Sequence, residues 1–254
     1  MSILDQFRLD GHIALVTGAG RGIGRAIALA LADAGADVAC AARTQADVES
    51  TASTIREKGR KALAASCDVS SEMARQALID SCVAELGGLS ILVNNAGGGG
   101  PNEPHSTKAD QFARTLTWNV VPAFDLTRIA APHIKEADGG SVINISSAVA
   151  HLPQKHFSAY GTAKAALSHM TRLLAQDFAP DIRVNAIEPG PVLTDALAAY
   201  LTPETKAHMV DATPLKRLGE VDDVAAAAVF LASPAASWIS GKTIELDGGT
   251  EAAW

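Results

Sequence analysis

Tyr160 precedes Lys164 by four residues, about one helical turn, so a helix would place a phenol and an ammonium on one face. A neighbouring cation favours the phenolate and lowers the tyrosine pKa, turning a weak acid into a usable proton-transfer group near neutrality. Beside a nicotinamide, such a group completes a site for interconverting alcohols and ketones. The Tyr-x-x-x-Lys spacing is common by chance, but the chain holds only two tyrosines, and Tyr200 has Glu204 at the same spacing. The weight comes from a combination: a glycine turn at residues 17–24, then Asn94-Asn95-Ala96-Gly97, then Asn119, Ser147, Tyr160 and Lys164. Taken singly, Ser146 and Ser147 could end a strand, and Asn119 could be a structural residue inside a helix.

The turn reads Thr17-Gly18-Ala19-Gly20-Arg21-Gly22-Ile23-Gly24, after a strand pattern and before a helix pattern. Glycines there permit a tight turn and close approach of a diphosphate to backbone N–H groups, and the helix N-terminus favours the anion. In this context dinucleotide binding outweighs a turn that binds nothing. The adenine-side ribose is read roughly 20 residues further on, where a carboxylate would bind the ribose hydroxyls and repel a 2′-phosphate. Here the second strand ends in Ala41-Ala42-Arg43, without a carboxylate. Arg43 can pair with a phosphate in fork geometry, and Arg21 can supply a second cation. The alternative is that both arginines are merely solvated. The pattern favours NADP(H), with NAD(H) as the alternative. Asp68, followed by Val69, comes after the third strand and could accept from the adenine amino group or cap the next helix.

These residues need a scaffold, and the chain supplies alternating strands and helices. Residues 12–17 read as a strand, 23–34 as a helix ending at Gly35, 37–41 as a strand and 45–58 as a helix. Residues 61–66 and 71–86 repeat the unit. Residues 89–94 form a fourth strand running into a loop at 97–101, and a long helix covers 108–135. Residues 141–145 are a strand, 158–178 a helix stopped by Pro180, 182–187 a strand, 221–231 a helix and 243–246 the last strand. Such alternation implies parallel pairing with right-handed crossovers. The expected architecture is a single-domain, Rossmann-type, doubly wound parallel sheet of about seven strands flanked by helices, spanning residues 1–254. Residues 191–218 break the alternation and carry Thr194, Asp195, Tyr200, Pro203, Met209 and Pro214. A segment this long is either a substrate lid or a surface helical excursion with no role, and leaving the carboxyl end of a strand favours the lid.

Composition narrows the class. Hydrophobic residues make up 48%, charged residues 19% and aromatics only 4%, which suits alanine-rich helices packed on a buried sheet. A net charge of −7 with no basic cluster argues against nucleic acid as a partner. No apolar run is long enough to cross a bilayer, and residues 1–11 are polar and mixed in charge, unlike a signal peptide. Cys40, Cys67 and Cys82 are odd in number and scattered, which favours reduced buried thiols over a disulfide or metal site. Together these features point to the cytoplasm. No metal-ligand spacing links His151, His156 and His169, so no metal is expected and these histidines read as non-catalytic.

From end to end the chain resembles the short-chain dehydrogenase/reductase family, on the glycine turn, Asn94-Asn95-Ala96-Gly97, Ser147, Tyr160, Lys164 and Pro189-Gly190, all in family order. The resemblance implies that Tyr160 exchanges the proton with the substrate oxygen and that Ser147 holds that oxygen. The thirteen-residue interval to Tyr160 selects Ser147 over Ser146. Lys164 would lower the Tyr160 pKa and bind the nicotinamide ribose, and Asn119 would position a relay water linking Lys164 to solvent. It further implies that Asn95, Ala96 and Gly97 line the adenosine ribose. Val192 and Thr194, beyond Pro189-Gly190, would meet the carboxamide and phosphates. A homo-oligomer, a tetramer, is implied as well, supported by the apolar stretch 221–244 and the chain end at Trp254.

Within the family the pattern is most similar to bacterial 7-alpha-hydroxysteroid dehydrogenases. The shared features are Gly97-Gly98-Gly99-Gly100-Pro101, Leu193-Thr194-Asp195-Ala196-Leu197, Thr213-Pro214, Arg217-Leu218-Gly219 and Ser233-Pro234-Ala235-Ala236-Ser237-Trp238. The glycine run would leave room for a bulky flat alcohol. Asn102, Glu103 and His105, and Gln154, Lys155 and His156 on the opposite wall, are more polar than a steroid skeleton needs. A 3-oxoacyl thioester reduced with NADPH is the alternative substrate, followed by sugar, quinone or xenobiotic carbonyls. A regulator that binds the dinucleotide without turnover is the alternative class of function.

Overall fold

Strand residues here alternate between two helical layers, which is why the strands are rich in apolar residues. The computed structural model describes residues 2–137, 140–199 and 201–251; Tyr200 and Trp254 lie outside them. The strands are β1 (Ile13–Thr17), β2 (Asp37–Ala42), β3 (Ala62–Ser66), β4 (Ile91–Asn94), β5 (Gly140–Ile145), β6 (Ile182–Pro189) and β7 (Thr243–Leu246). They form one parallel sheet in the order β3-β2-β1-β4-β5-β6-β7. The helices are α1 (Gly22–Asp33), α2 (Gln45–Glu57), α3 (Glu72–Leu86), α4 (Ala109–Glu136), α5 (Ser158–Asp177), α6 (Asp195–Ala198), α7 (Pro203–Ala212) and α8 (Val221–Ala232). Val16, Val38, Ile91 and Val93 pack with α1, α2 and α8 on one face. Leu15, Ala39, Leu92 and Val142 pack with α3, α4 and α5 on the other. This is the doubly wound architecture the alternation implied.

Chain order reverses between β1 and β4, so the loops leaving their carboxyl ends diverge and leave a crevice. The glycine turn follows β1, and the Asn95-Ala96-Gly97 loop follows β4. Asn95 fastens the two together: its Nδ2 donates to the Thr17 carbonyl at 2.8 Å. The Thr17 hydroxyl in turn accepts from the Asn95 and Ala96 N–H groups at 3.0 Å each. Arg75 steadies the adjoining crossover. It is 5% exposed, its Nε donates to Asp125 on α4 at 2.6 Å, and an Nη donates to the Val69 carbonyl at 2.7 Å. The paired guanidinium groups of Arg128 and Arg75 hold the Asp125 carboxyl below its ordinary range, against the opposing effect of burial.

The structure departs from the sequence reading in two places. β6 continues to Pro189 because β7 pairs alongside Glu188 and Pro189, and the Gly190 N–H then closes on the Leu246 carbonyl at 2.9 Å. The segment 191–218, read without element bounds, holds α6 and α7, neither of which contains a buried residue. Its base is closed by Gly219, whose N–H donates to the Pro191 carbonyl at 3.0 Å while its carbonyl accepts from the Leu193 N–H at 2.7 Å. The excursion therefore leaves and rejoins the domain at one point. Cys40, Cys67 and Cys82 are free and buried.

Candidate active site

A cleft of ≈ 520 Å³ opens at the carboxyl ends of the strands. The glycine turn forms one side of it, with Gly18, Arg21, Gly22, Ile23 and Gly24 in its lining. Gly18 has φ +68, and a side chain there would press on the Asn95 amide at 2.6 Å; a side chain at Gly24 would meet the Gly18 carbonyl. The turn thus has no room for Cβ atoms where the backbone bends. α1 begins at Gly22 with Arg21 as its N-cap residue and without a side-chain cap, so its leading N–H groups face the cleft from a helix N-terminus. Arg43 and Val69 line the adenine-side end, and Asn95, Ala96, Gly97, Pro189, Gly190 and Thr194 complete the lining. Arg21 and Arg43 are exposed, and neither has an ion-pair partner among the described residues. These features suit a dinucleotide: a backbone cradle for the diphosphate and two guanidinium groups beyond it.

Ser147, Tyr160 and Lys164 stand on the opposite side of the same cleft. Ser147 follows β5, and the other two share a face of α5. The Lys164 ammonium is buried, donates to the Ile145 carbonyl at 2.8 Å, and lies 5.7 Å from the centroid of the Tyr160 ring. Ser146 turns inward, bonded to the Lys164 carbonyl at 3.1 Å and to the Ser168 hydroxyl at 2.7 Å, which leaves Ser147 as the serine directed at the cleft. Phe157 meets Tyr160 edge-on with centroids 6.3 Å apart.

Four sequence-based expectations read differently in three dimensions. Asn119 does not line the cleft. Its amide accepts from the Gly98 N–H at 2.9 Å and donates to the Gly98 and Thr115 carbonyls at 3.1 and 2.9 Å. The amide thereby holds the 97–98 loop. Asp68 is outside the lining, and its carboxylate accepts from the Ser70 N–H at 3.0 Å; the helix cap is Ser71, which accepts from the Ala74 N–H. Val192 forms a bridge with Gly219 and packs into the core instead of facing the cleft. The glycine run serves close packing as well as space. A side chain at Gly99 would strike the Tyr160 ring at 2.6 Å and one at Gly97 the Asn119 amide at 2.8 Å, whereas Gly98 and Gly100 face open space.

Sequence reasoning also missed residues. Asp47, Cys67, Trp118 and Ala196 line the cleft. Thr194 caps α6 and lies against Gly22, a side chain at which would come within 3.6 Å of the threonine methyl. His151, Glu188 and Glu245, dispersed in sequence, present ligand atoms within 4.8 Å of one another. The register of β6 on β7 pairs the two glutamates, and the turn after β5 brings His151 to them, which no motif spacing displays.

Burial dominates the site's proton affinities. It pushes the Tyr160 phenol up to about 12, with the hydrogen bond from Ser147 acting in the opposite direction. Burial also pushes the Lys164 ammonium down to about 8. The expected depression of the Tyr160 pKa by Lys164 therefore does not emerge from the chain's own groups. The ammonium sits over the ring and is bonded to a backbone carbonyl, and the phenolate would be poorly solvated.

A family model described as enoyl-(acyl carrier protein) reductase matches residues 18–251. The 7alpha-hydroxysteroid dehydrogenase of Escherichia coli K12 is 42% identical over 246 residues, 96% of each chain. A solved 7 alpha-hydroxysteroid dehydrogenase complexed with NADH and 7-oxo glycochenodeoxycholic acid superposes with a TM-score of 0.95 at 42% identity, covering 98% of both chains. A gluconate 5-dehydrogenase of Burkholderia cenocepacia J2315, in complex with NADP and tartrate, superposes with a TM-score of 0.92 at 33% identity, again over 98% of both chains.

Tyrosinate absorbance tests the electrostatics directly. In the Tyr200→Phe variant, without added dinucleotide, the remaining tyrosine should ionise near 12, well above the ordinary tyrosine value of about 10. A midpoint at or below the ordinary value would show that Lys164, and not burial, sets the phenol's acidity.

Proposed function

From the premise that this chain is a member of the short-chain dehydrogenase/reductase family and an alcohol dehydrogenase/ketoreductase within it, we propose an NADP(H)-dependent enzyme that interconverts a bulky secondary alcohol and its ketone, with Tyr160 as general acid and base. The observation that carries this reading is one cleft with two dissimilar sides: a glycine-turn cradle on one, and Ser147, Tyr160 and Lys164 on the other. A bound nicotinamide dinucleotide supplies or accepts the hydride. Gly18, Arg21, Gly22, Ile23 and Gly24 would hold its diphosphate, Arg43 its 2′-phosphate, and Val69, Asn95, Ala96 and Gly97 its adenosine. Pro189, Gly190, Thr194 and the backbone at Val192 would flank the carboxamide end.

The chain's own work is proton transfer and orientation. In reduction the Ser147 hydroxyl donates a hydrogen bond to the carbonyl oxygen, and the Tyr160 hydroxyl donates its proton to the same oxygen; in oxidation Tyr160 takes the proton back. Lys164 supplies positive charge behind the phenol and a donor for the ribose. Asn119 acts by fixing the Gly98 backbone. Residues 191–218 form the lid: the neck at Gly219 is pinned, and Thr194 and Ala196 already reach the cleft.

A hydroxysteroid-like substrate fits the relatives that act on or bind such compounds, a 7alpha-hydroxysteroid dehydrogenase among them. A 3-oxoacyl thioester is the second reading, favoured by the acyl-carrier-protein description of the matching family model. The exposed Phe112, Val121 and Phe124 of α4 and Leu173 of α5, with the fully exposed Trp238, support a homotetramer. A cytoplasmic location fits three free, buried thiols, and no helix among the described residues is long and apolar enough to cross a membrane.

Three experiments test this reading. With NADPH and a panel of hydroxysteroid ketones, 3-oxoacyl thioesters and diketones, the wild type should turn over, and Tyr160→Phe should lower kcat by about 10²–10⁴-fold with cofactor affinity retained. Cofactor binding without turnover of any panel member would make the protein a dinucleotide-dependent regulator instead. Arg43→Asp should move the kcat/KM preference from NADPH toward NADH, because it replaces a phosphate partner with a group that repels phosphate; an unchanged ratio removes Arg43 from cofactor choice. Light scattering should give four times the chain mass, and a clean monomer at micromolar concentration would remove the tetramer.

A further inference from the structure

Glu188 and Glu245 occupy paired positions on β6 and β7, so two carboxylates stand side by side. Like charges so placed oppose each other. Glu188 is also only 3% exposed, a burial that a carboxylate tolerates only with strong partners. The structure answers with an imidazole and a hydroxyl. His151 Nδ1 lies 2.6 Å from Glu188 Oε2, and His151 Nε2 lies 3.8 Å from Glu245 Oε2. The Ser168 hydroxyl donates to Glu188 Oε1 at 2.5 Å.

The partners of Glu188 belong to the segments that carry the reacting groups. Ser147 and His151 flank the single turn Ala148–Ala150, closed by the Ala150 N–H on the Ser147 carbonyl at 2.9 Å and the His151 N–H on the Ala148 carbonyl at 3.1 Å. Ser168 lies one helical turn beyond Lys164 on α5, and through the Ser146 hydroxyl it is linked to the Lys164 carbonyl. One buried carboxylate therefore grips the Ser147 turn through His151 and the Lys164 turn through Ser168, while its own strand runs on into Pro189 and Gly190 of the cleft lining.

We infer that Glu188 and His151 are positioning residues for the redox site: their close contact helps to set the spacing between the Ser147 hydroxyl and the Tyr160–Lys164 pair. This inference rests on the enzymatic reading above and deepens it. Neither residue reaches the cleft, so both act through the segments they hold. Their removal should change the geometry of the reaction step and leave the dinucleotide cradle, built from β1, β4 and the glycine turn, as it is.

The test compares wild type, His151→Ala and Glu188→Gln on the best ketone of the panel, with NADPH affinity from fluorescence titration and a thermal melt of each. Both variants should lose about tenfold to a hundredfold in kcat while the NADPH Kd stays within about twofold. The His151 side chain is 30% exposed, so added imidazole can enter the space that His151→Ala leaves. Imidazole should restore much of the kcat of His151→Ala and none of that of Glu188→Gln. If His151→Ala does not fold, Glu188→Gln, which keeps the shape of the side chain, decides through its kcat and Kd. Wild-type kcat in both variants, or a loss in folded His151→Ala that imidazole leaves untouched, overturns the inference while the enzymatic reading stands. A wild type that turns over nothing brings down the enzymatic reading and this inference with it.

Discussion

Lys164 is 4% exposed, and its ammonium donates a hydrogen bond to the carbonyl of Ile145. A buried cation without such a partner would be strongly destabilising, so this contact fixes how α5 lies against the end of β5. β5 is an interior strand, paired on both sides, and its end cannot shift without disturbing β4 and β6. Ser147 is two residues past Ile145 on that strand's exit, and Tyr160 is one turn before Lys164 on the helix. This donor–acceptor pair is thus one of the contacts that hold the hydroxyl, the phenol and the ammonium in relation to one another. The inward Ser146, bonded to the carbonyl of the same lysine, adds a second constraint between the same two elements.

The sheet serves this arrangement by placing the cofactor cradle and the reacting groups on opposite banks of one crevice. The reversal of strand order between β1 and β4 opens it. The Asn95 amide, bridging to the Thr17 carbonyl, keeps the two loops at a fixed distance even though no strand pairing extends that far. Arg75 performs a similar office at the adenine end, joining α3, α4 and the Val69 carbonyl through buried charge-assisted bonds. Removing one partner of such a buried pair typically costs about 3–5 kcal/mol, since the remaining charge keeps its desolvation penalty.

The scaffold was largely legible in the sequence because its signals are long and local. Each central strand is rich in apolar residues, and each flanking helix buries residues at helical spacing, so order and type follow largely from pattern. α6 and α7 were not legible for the same reason: they bury nothing, so their sequences carry no apolar period. Side-chain commitments were also hidden. Asn119 and the glycine run were assigned by motif to water and to empty space. The fold gives the Asn119 amide to Gly98 and presses Gly99 against the Tyr160 ring. Glu188 and Glu245 meet through strand register and His151 joins them from the turn after β5, and such long-range placement is not encoded in composition or spacing.

The discrimination between the two nicotinamide dinucleotides rests on the least protected part of the site. Arg21 and Arg43 are exposed, and Asp47 lines the same cleft, while Asp68 is close enough that the Arg43 charge helps to lower its pKa, behind its bonds to Ser70. A phosphate entering here gains a fork of N–H donors, and hydrogen bonds to charged groups are worth about 1.5–3 kcal/mol. It also approaches two carboxylates across water, where each unit charge at close range opposes it by about 1 kcal/mol or less, depending on salt. On the proposed NADP(H) reading, the difference is about one or two kcal/mol, roughly a tenfold preference that falls as ionic strength rises. The diphosphate cradle is of another kind. Its donors are backbone N–H groups at a helix start, held by packing that leaves no space for Cβ atoms, so its affinity owes little to exposed charge and is shared by both dinucleotides. Selectivity in this protein is therefore the adjustable property, and dinucleotide binding is the one the fold enforces.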